Sequence, residues 1–156
     1  MLGATPNDAY AWHLLGIVND RQGRSAASLE VVQRAIELVP SVAEFHDTLG
    51  ILLMHAHRSA DGIEAFRAAL RLKPQFPKAL HNLGLAYRDG QQYSDAVQSF
   101  REALRLIPNW AEVHNVLGST LRAMGHFTVH TNGTVHTNGT GPILLVARRL
   151  ASPQMC

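Results

Sequence analysis

An all-α chain of stacked antiparallel helix pairs is the fold class this sequence predicts, and three observations predict it. Prolines recur at Pro6, Pro40, Pro74 and Pro108, and glycines at Gly16, Gly50, Gly84 and Gly118, each series stepping by 34 residues. The segments they bound align as PNDAYAWHLLG, PSVAEFHDTLG, PQFPKALHNLG and PNWAEVHNVLG. Each period holds two amphipathic stretches with helical spacing of their apolar residues.

The repeats are expected at residues 9–40, 43–74 and 77–108, with a partial fourth at 111–127. The third shows the pattern in full. Pro77 to Asp89 carries Ala79, Leu80, Leu83, Leu85, Ala86 and Tyr87 at helical spacing, a turn follows at Gly90-Gln91-Gln92, and Ser94 is read as an N-cap. Ala96, Val97, Phe100, Ala103, Leu104 and Leu106 then form a second apolar face, which Pro108 ends because it has no amide hydrogen and its ring clashes with the preceding turn. The recurring glycine lies mid-helix, where it costs about 1 kcal/mol against alanine. Its presence in four helices predicts a close approach between helices that a side chain would block. Residues 6–127 form the repeat domain and 128–156 an irregular tail.

These residues resemble the tetratricopeptide repeat (TPR) family. The third repeat matches its pattern at Leu80, Leu83, Gly84, Tyr87, Ala96, Phe100, Ala103 and Pro108. The first offers Trp12, Leu15, Gly16, Ala35 and Pro40, with Asn19, Ser28 and Val32 where Tyr, Ala and Phe are usual. The second offers Leu49, Gly50, Phe66, Ala69 and Pro74, with Gly62 in a small-residue slot; the fourth keeps Leu117 and Gly118 and only its first helix. The resemblance implies a right-handed solenoid whose first helices line a concave groove. Its groove positions are Tyr10, His13, Leu14, Ile17 and Arg21, then Glu44, Asp47, Thr48, Ile51 and His55. The third repeat gives Lys78, His81, Asn82, Leu85 and Arg88, and the fourth Glu112, Asn115, Val116, Ser119 and Arg122.

The function this implies is non-catalytic: a scaffold that holds a protein or peptide segment in the groove. Ile17, Ile51 and Leu85 make an apolar line, and Lys78, Arg88 and Arg122 select acidic flanks. Some relatives grip a peptide carboxylate with Lys, Asn and Arg, but here Ile and Leu stand where the key asparagines would be. An alternative is the substrate-recognition arm of a truncated glycosyltransferase with such repeats. Asn82 is the single rung of an asparagine ladder there, with Leu14, Thr48 and Val116 at the matching sites. The first 43 residues from Asp8 are similar to amino-terminal repeats of large bacterial proteins of this family, some with a transferase domain downstream.

Composition narrows the remaining classes. The 156 residues suffice for one domain, 46% of them are apolar, and the net charge of +2 is scattered rather than gathered into the basic face that nucleic acids select. Cys156 is the single cysteine, which leaves no internal disulfide and no cysteine-rich metal site. Of the nine histidines, His46 and His114 share one repeat position and His13 and His81 another, so they recur along the scaffold rather than converge on an ion. His55 and His57, two apart on a helix, point to different sides. No cofactor is expected. No secretory leader or membrane-spanning run is visible, so a cytoplasmic protein is expected.

After Phe127 the repeat pattern stops. Thr128–Gly133 and Thr134–Gly139 are direct copies of one six-residue unit, which could close a hairpin at Asn132-Gly133 or remain disordered. Two readings of the tail stand. Either Ile143–Leu150 docks marginally on the fourth-repeat helix as a cap, with Thr128–Gly141 mobile, or the segment is foreign to the repeat and comes from a frame shift. Without docking, weak self-association through this end is expected.

Overall fold

The structure is a computed structural model that describes residues 5–128, 135–136 and 142–143. Among the described residues seven helices follow one another: α1 (Pro6–Arg21), α2 (Ser25–Leu38), α3 (Ala43–His55), α4 (Ser59–Leu72), α5 (Pro77–Asp89), α6 (Tyr93–Leu106) and α7 (Ala111–Thr128). Two short strands, β1 (Val135–His136) and β2 (Pro142–Ile143), pair antiparallel with Val135 opposite Ile143, and β1 touches α7.

The repeat punctuates both ends of each helix pair. Pro6 and Pro77 sit in the first turn of α1 and α5, where a missing amide hydrogen costs nothing. Asp8 closes the start of α1 by accepting the Thr5 amide at 2.6 Å. The second helices α2, α4 and α6 end on Val39, Lys73 and Ile107, with φ of −139°, −139° and −130°. Each precedes a proline, whose ring pushes its neighbour into the extended region. His46 and His114 then donate Nε2–H to the carbonyls of Pro40 and Pro108, at 2.8 and 2.7 Å, and tie each loop to the helix that follows.

The turn inside each pair is also periodic. Gly23, His57 and Gln91, spaced by 34, all have positive φ (73°, 57° and 59°). At each, the next amide bonds back five residues: Arg24 to Asn19 at 2.9 Å, Arg58 to Leu53 at 2.8 Å and Gln92 to Tyr87 at 2.8 Å. This left-handed closure satisfies the last carbonyls of the first helix. Two expectations are corrected by it. His57 lies in the turn and not on the helix that ends at His55. Ser94 is not a cap, because Gln92 occupies that position, no side chain caps α6, and the closure supplies the backbone bonds instead.

Helices pair as α1 with α2, α3 with α4 and α5 with α6, and each second helix packs on the next first helix. The odd helices also touch one another, α1 with α3 and α3 with α5, while the even ones make no comparable contact. The odd layer is therefore the shorter, inner side of an all-α solenoid. The glycines account for the tight pairing. A Cβ on Gly50 would lie 2.5 Å from Phe66 Cε1, one on Gly84 would lie 2.5 Å from Phe100 Cε1, and one on Gly16 would overlap Val32. The largest buried cluster runs from α4 to α7 through Phe66, Leu83, Tyr87, Phe100 and Val113. At the other end the core thins to Ala9, Ala35 and Phe45.

The first helix leaves its outward face bare. Leu83 and Leu52 are buried against a preceding helix, whereas Leu15 and Val18, their equivalents in α1, are 42% and 48% exposed. The hairpin at Asn132-Gly133 and most of the docking segment, residues 144–150, lie outside the described residues.

Candidate functional site

The inner layer carries its side chains in rows, one member from each odd helix. The fifth residue of each repeat faces the sixth of the next, 35 positions on in sequence, and where both are polar a rung results. His13 Nε2 lies 2.7 Å from Thr48 Oγ1. Asn82 Nδ2 donates to Asp47 Oδ1 at 2.9 Å, and Lys78 Nζ stands 3.3 Å from the other oxygen of the same carboxylate. Asp47 is buried, so these two groups replace the water it has lost. At the opposite edge of the layer His55 Nδ1 donates to Asp20 at 3.1 Å.

The third rung is broken. His13 and Asp47 each reach the residue 35 positions on, and for His81 that residue is Val116, which has nothing to offer. His81 is 6% exposed, its Nε2 has no hydrogen-bond partner, and Glu112 stays 4.0 Å away. The ring rests instead against Trp110, with centroids 5.0 Å apart. Burial lowers the pKa of His81 and the Arg88 charge lowers it further, against an upward pull from Glu112. Burial also lowers the pKa of His13, helped by Lys78 and opposed by Glu44 and Asp47.

Between the rungs lie two open depressions. One of about 230 Å³ is bounded by Ile17, Arg21, Thr48, Ile51 and Lys78, and one of about 240 Å³ by Ile51, Met54, His55, Asn82, Leu85 and Asp89. Ile51 is a wall of both, so they are consecutive along the inner face. Ile17, Ile51 and Leu85 are half-buried, and Ile51 and Leu85 pack partly on the core beneath. They form a floor and not an exposed ridge.

The other expected groove residues divide by what already holds them. Lys78 is engaged by Asp47, Asn82 donates to Asp47, His55 to Asp20, and the Ser119 hydroxyl is given to the Val116 carbonyl at 2.8 Å. Tyr10 packs edge-on against Phe45 at 5.1 Å. Arg21, Asn115 and Arg122 are exposed, Arg88 is half-buried, and none of these four side chains is in a hydrogen bond or ion pair among the described residues. Sequence reasoning missed Asp20, Met54 and Asp89 on the walls. They occupy the last turn of each first helix, one residue on either side of a position that was read. A further depression of about 370 Å³, bounded by Trp12, Val31 and Arg34, lies between α1 and α2 away from the floor. Among the described residues no three His, Cys, Asp or Glu side chains are grouped as metal ligands, and no helix is long and apolar enough to cross a membrane.

Comparison with known proteins places this architecture. Residues 48–109 match the tetratricopeptide repeat family. The first TPR of Spaghetti (RPAP3), solved bound to the HSP90 peptide SRMEEVD, is similar with a TM-score of 0.75 at 18% identity, over 80% of this chain and 99% of that one. The structure of MamA gives 0.72 at 20% identity, over 77% and 70% of the two chains. The Sgt2 TPR domain from Aspergillus fumigatus gives 0.73 at 17%, over 80% and 83%. No curated protein matches the sequence.

Proposed function

Because the chain is a tetratricopeptide-repeat solenoid, a fold whose domains are protein-interaction modules, we propose that it is a non-catalytic scaffold that holds an extended peptide segment along its inner face. The observation that carries this reading is the pair of depressions sharing Ile51 as a common wall. Packed helices stand about 8–10 Å apart, so consecutive depressions are separated by about that distance. A polyproline-II or similarly extended ligand advances about 9 Å in three residues and presents residues i and i+3 on one side. The ligand class is therefore a segment with two apolar side chains three apart, seated over Ile17–Ile51 and Ile51–Leu85.

Charge sets the flanks. Lys78 is already matched by Asp47, so its pull on a ligand is weakened, and Arg21, Arg88 and Arg122 remain to favour acidic residues. The peptide in the Spaghetti structure supports the peptide class and no more, since the residues of a carboxylate grip are replaced here. Nothing favours the transferase-arm alternative: the amide of Asn82, its single rung, is spent on Asp47.

Selection of a displayed peptide library on the full chain tests the reading. Enrichment of an apolar-x-x-apolar core with acidic flanks is expected. Ile51→Asp should abolish binding of the selected peptide with helicity retained by circular dichroism. Arg88→Glu and Arg122→Glu, which touch less of the core, should weaken it. Selected peptides indifferent to all three substitutions would sink the assignment of the groove.

A further inference from the structure

We propose that the face of α7 around Gly118 is a docking site for an amphipathic helix of a partner protein, one that carries a small residue, a phenylalanine and an alanine at positions i, i+4 and i+7. The site is separate from the inner groove.

The chain itself shows what such a glycine takes. Gly50 is filled by Phe66 of α4, whose small neighbours are Gly62 and Ala69; Gly84 is filled by Phe100 of α6, with Ala96 and Ala103. All six of these α4 and α6 residues are buried. Among the described residues nothing lies within 4 Å of where a Cβ on Gly118 would stand. Leu121, at the position where Tyr87 is covered in the third repeat, is 42% exposed. The glycine is thus a socket of the same make as its two predecessors, and no described residue supplies its aromatic knob.

Two features separate this end from the others. The chain turns back after each earlier first helix at Gly23, His57 and Gln91, but at the equivalent Gly125 α7 continues to Thr128. The longer helix offers a platform where the other repeats offer a turn. Secondly, none of residues 128–156 is Phe, Tyr or Trp, so this segment carries no large apolar ring for the socket. The chemistry of the socket asks for one, and an aromatic side chain is the largest apolar contribution available at a helix contact.

The test uses the full chain and one defined probe: a peptide with the sequence of residues 91–107, held helical by an i,i+4 bridge on its polar face and labelled for anisotropy. This is the α6 sequence, whose Phe100 fits Gly84. Saturable one-to-one binding is expected. A peptide carrying Phe100→Ala should bind weaker by more than about tenfold. Gly118→Leu in the chain, which fills the socket from inside a helix, should remove binding with helicity unchanged. Absence of binding, or binding indifferent to both substitutions, overturns the proposal. So does binding that appears only after residues 129–156 are deleted, since β1 touches α7 and the tail would then be the occupant. A dimer of the unliganded chain that Gly118→Leu dissociates would assign the face to a second copy, and would overturn it equally.

Discussion

At the scale of single residues the broken rung at His81 is the most informative position. A buried nitrogen without a partner costs roughly 1–3 kcal/mol. Val116→Thr puts a hydroxyl where Thr48 offers one to His13, and is expected to raise stability by about 1 kcal/mol in chemical denaturation. The same substitution in a His81→Leu background should give no gain, because no imidazole is left to satisfy. Protonation follows from the same burial. His13 and His81 both have folded-state pKa values below the free value of 6.5. The unfolded chain therefore takes up protons first as the pH falls. The stability these groups contribute is complete above pH 6.5 and declines below it until the folded-state values are reached. Denaturation midpoints should fall between neutral and mildly acidic pH, and His81→Leu should flatten part of that fall. The sequence disclosed that His13 and His81 are equivalent, because equivalence is a matter of counting. It could not disclose that one rung is closed and the other open. That depends on which residue of the next helix stands opposite, a register fixed by packing between elements.

Among the elements, the glycine sockets separate two kinds of position that look identical in the repeat. Gly84→Ala drives a methyl against the Phe100 ring and should destabilise by a few kcal/mol, about 1–3 by overpacking. Gly118→Ala meets nothing among the described residues and should stabilise by about 1 kcal/mol through helix propensity alone. Thermal melts of the two variants, read side by side, check both signs. The helices themselves were legible. The expected span Pro77 to Asp89 is the observed α5, since proline, apolar period and turn agree there. The error at Ser94 has a physical source: a hydroxyl near a helix start suggests a cap, but here backbone geometry at Gln91 settles the turn first. Of the site, the apolar line was legible from its period. Its half-burial was not, nor was the pairing of Lys78 with Asp47, because both come from contacts between helices far apart in sequence.

For the whole molecule, each repeat packs only on its neighbours, so stability is close to a sum of local terms. The buried cluster from α4 to α7 is the largest, and α1 rests on a thin core with Leu14, Leu15 and Val18 exposed. Native-state hydrogen exchange is expected to show the greatest protection in α4 and α5 and the least in α1, with opening proceeding inward from that end. Uniform protection across all seven helices would contradict this picture. Deletion of residues 129–156 is expected to lower the melting temperature or produce oligomers, and calorimetry with light scattering distinguishes these from an inert tail.

The double use of Ile51 has one more consequence. Since that side chain closes one depression and opens the next, the reach of the inner face changes in whole steps of 34 residues. Removing residues 43–76 would bring Ile17 beside Leu85 and halve the number of seats. Duplicating the same segment would add one. A molecule built this way can lengthen or shorten the text it reads, one word at a time, without rewriting any letter of the words it keeps.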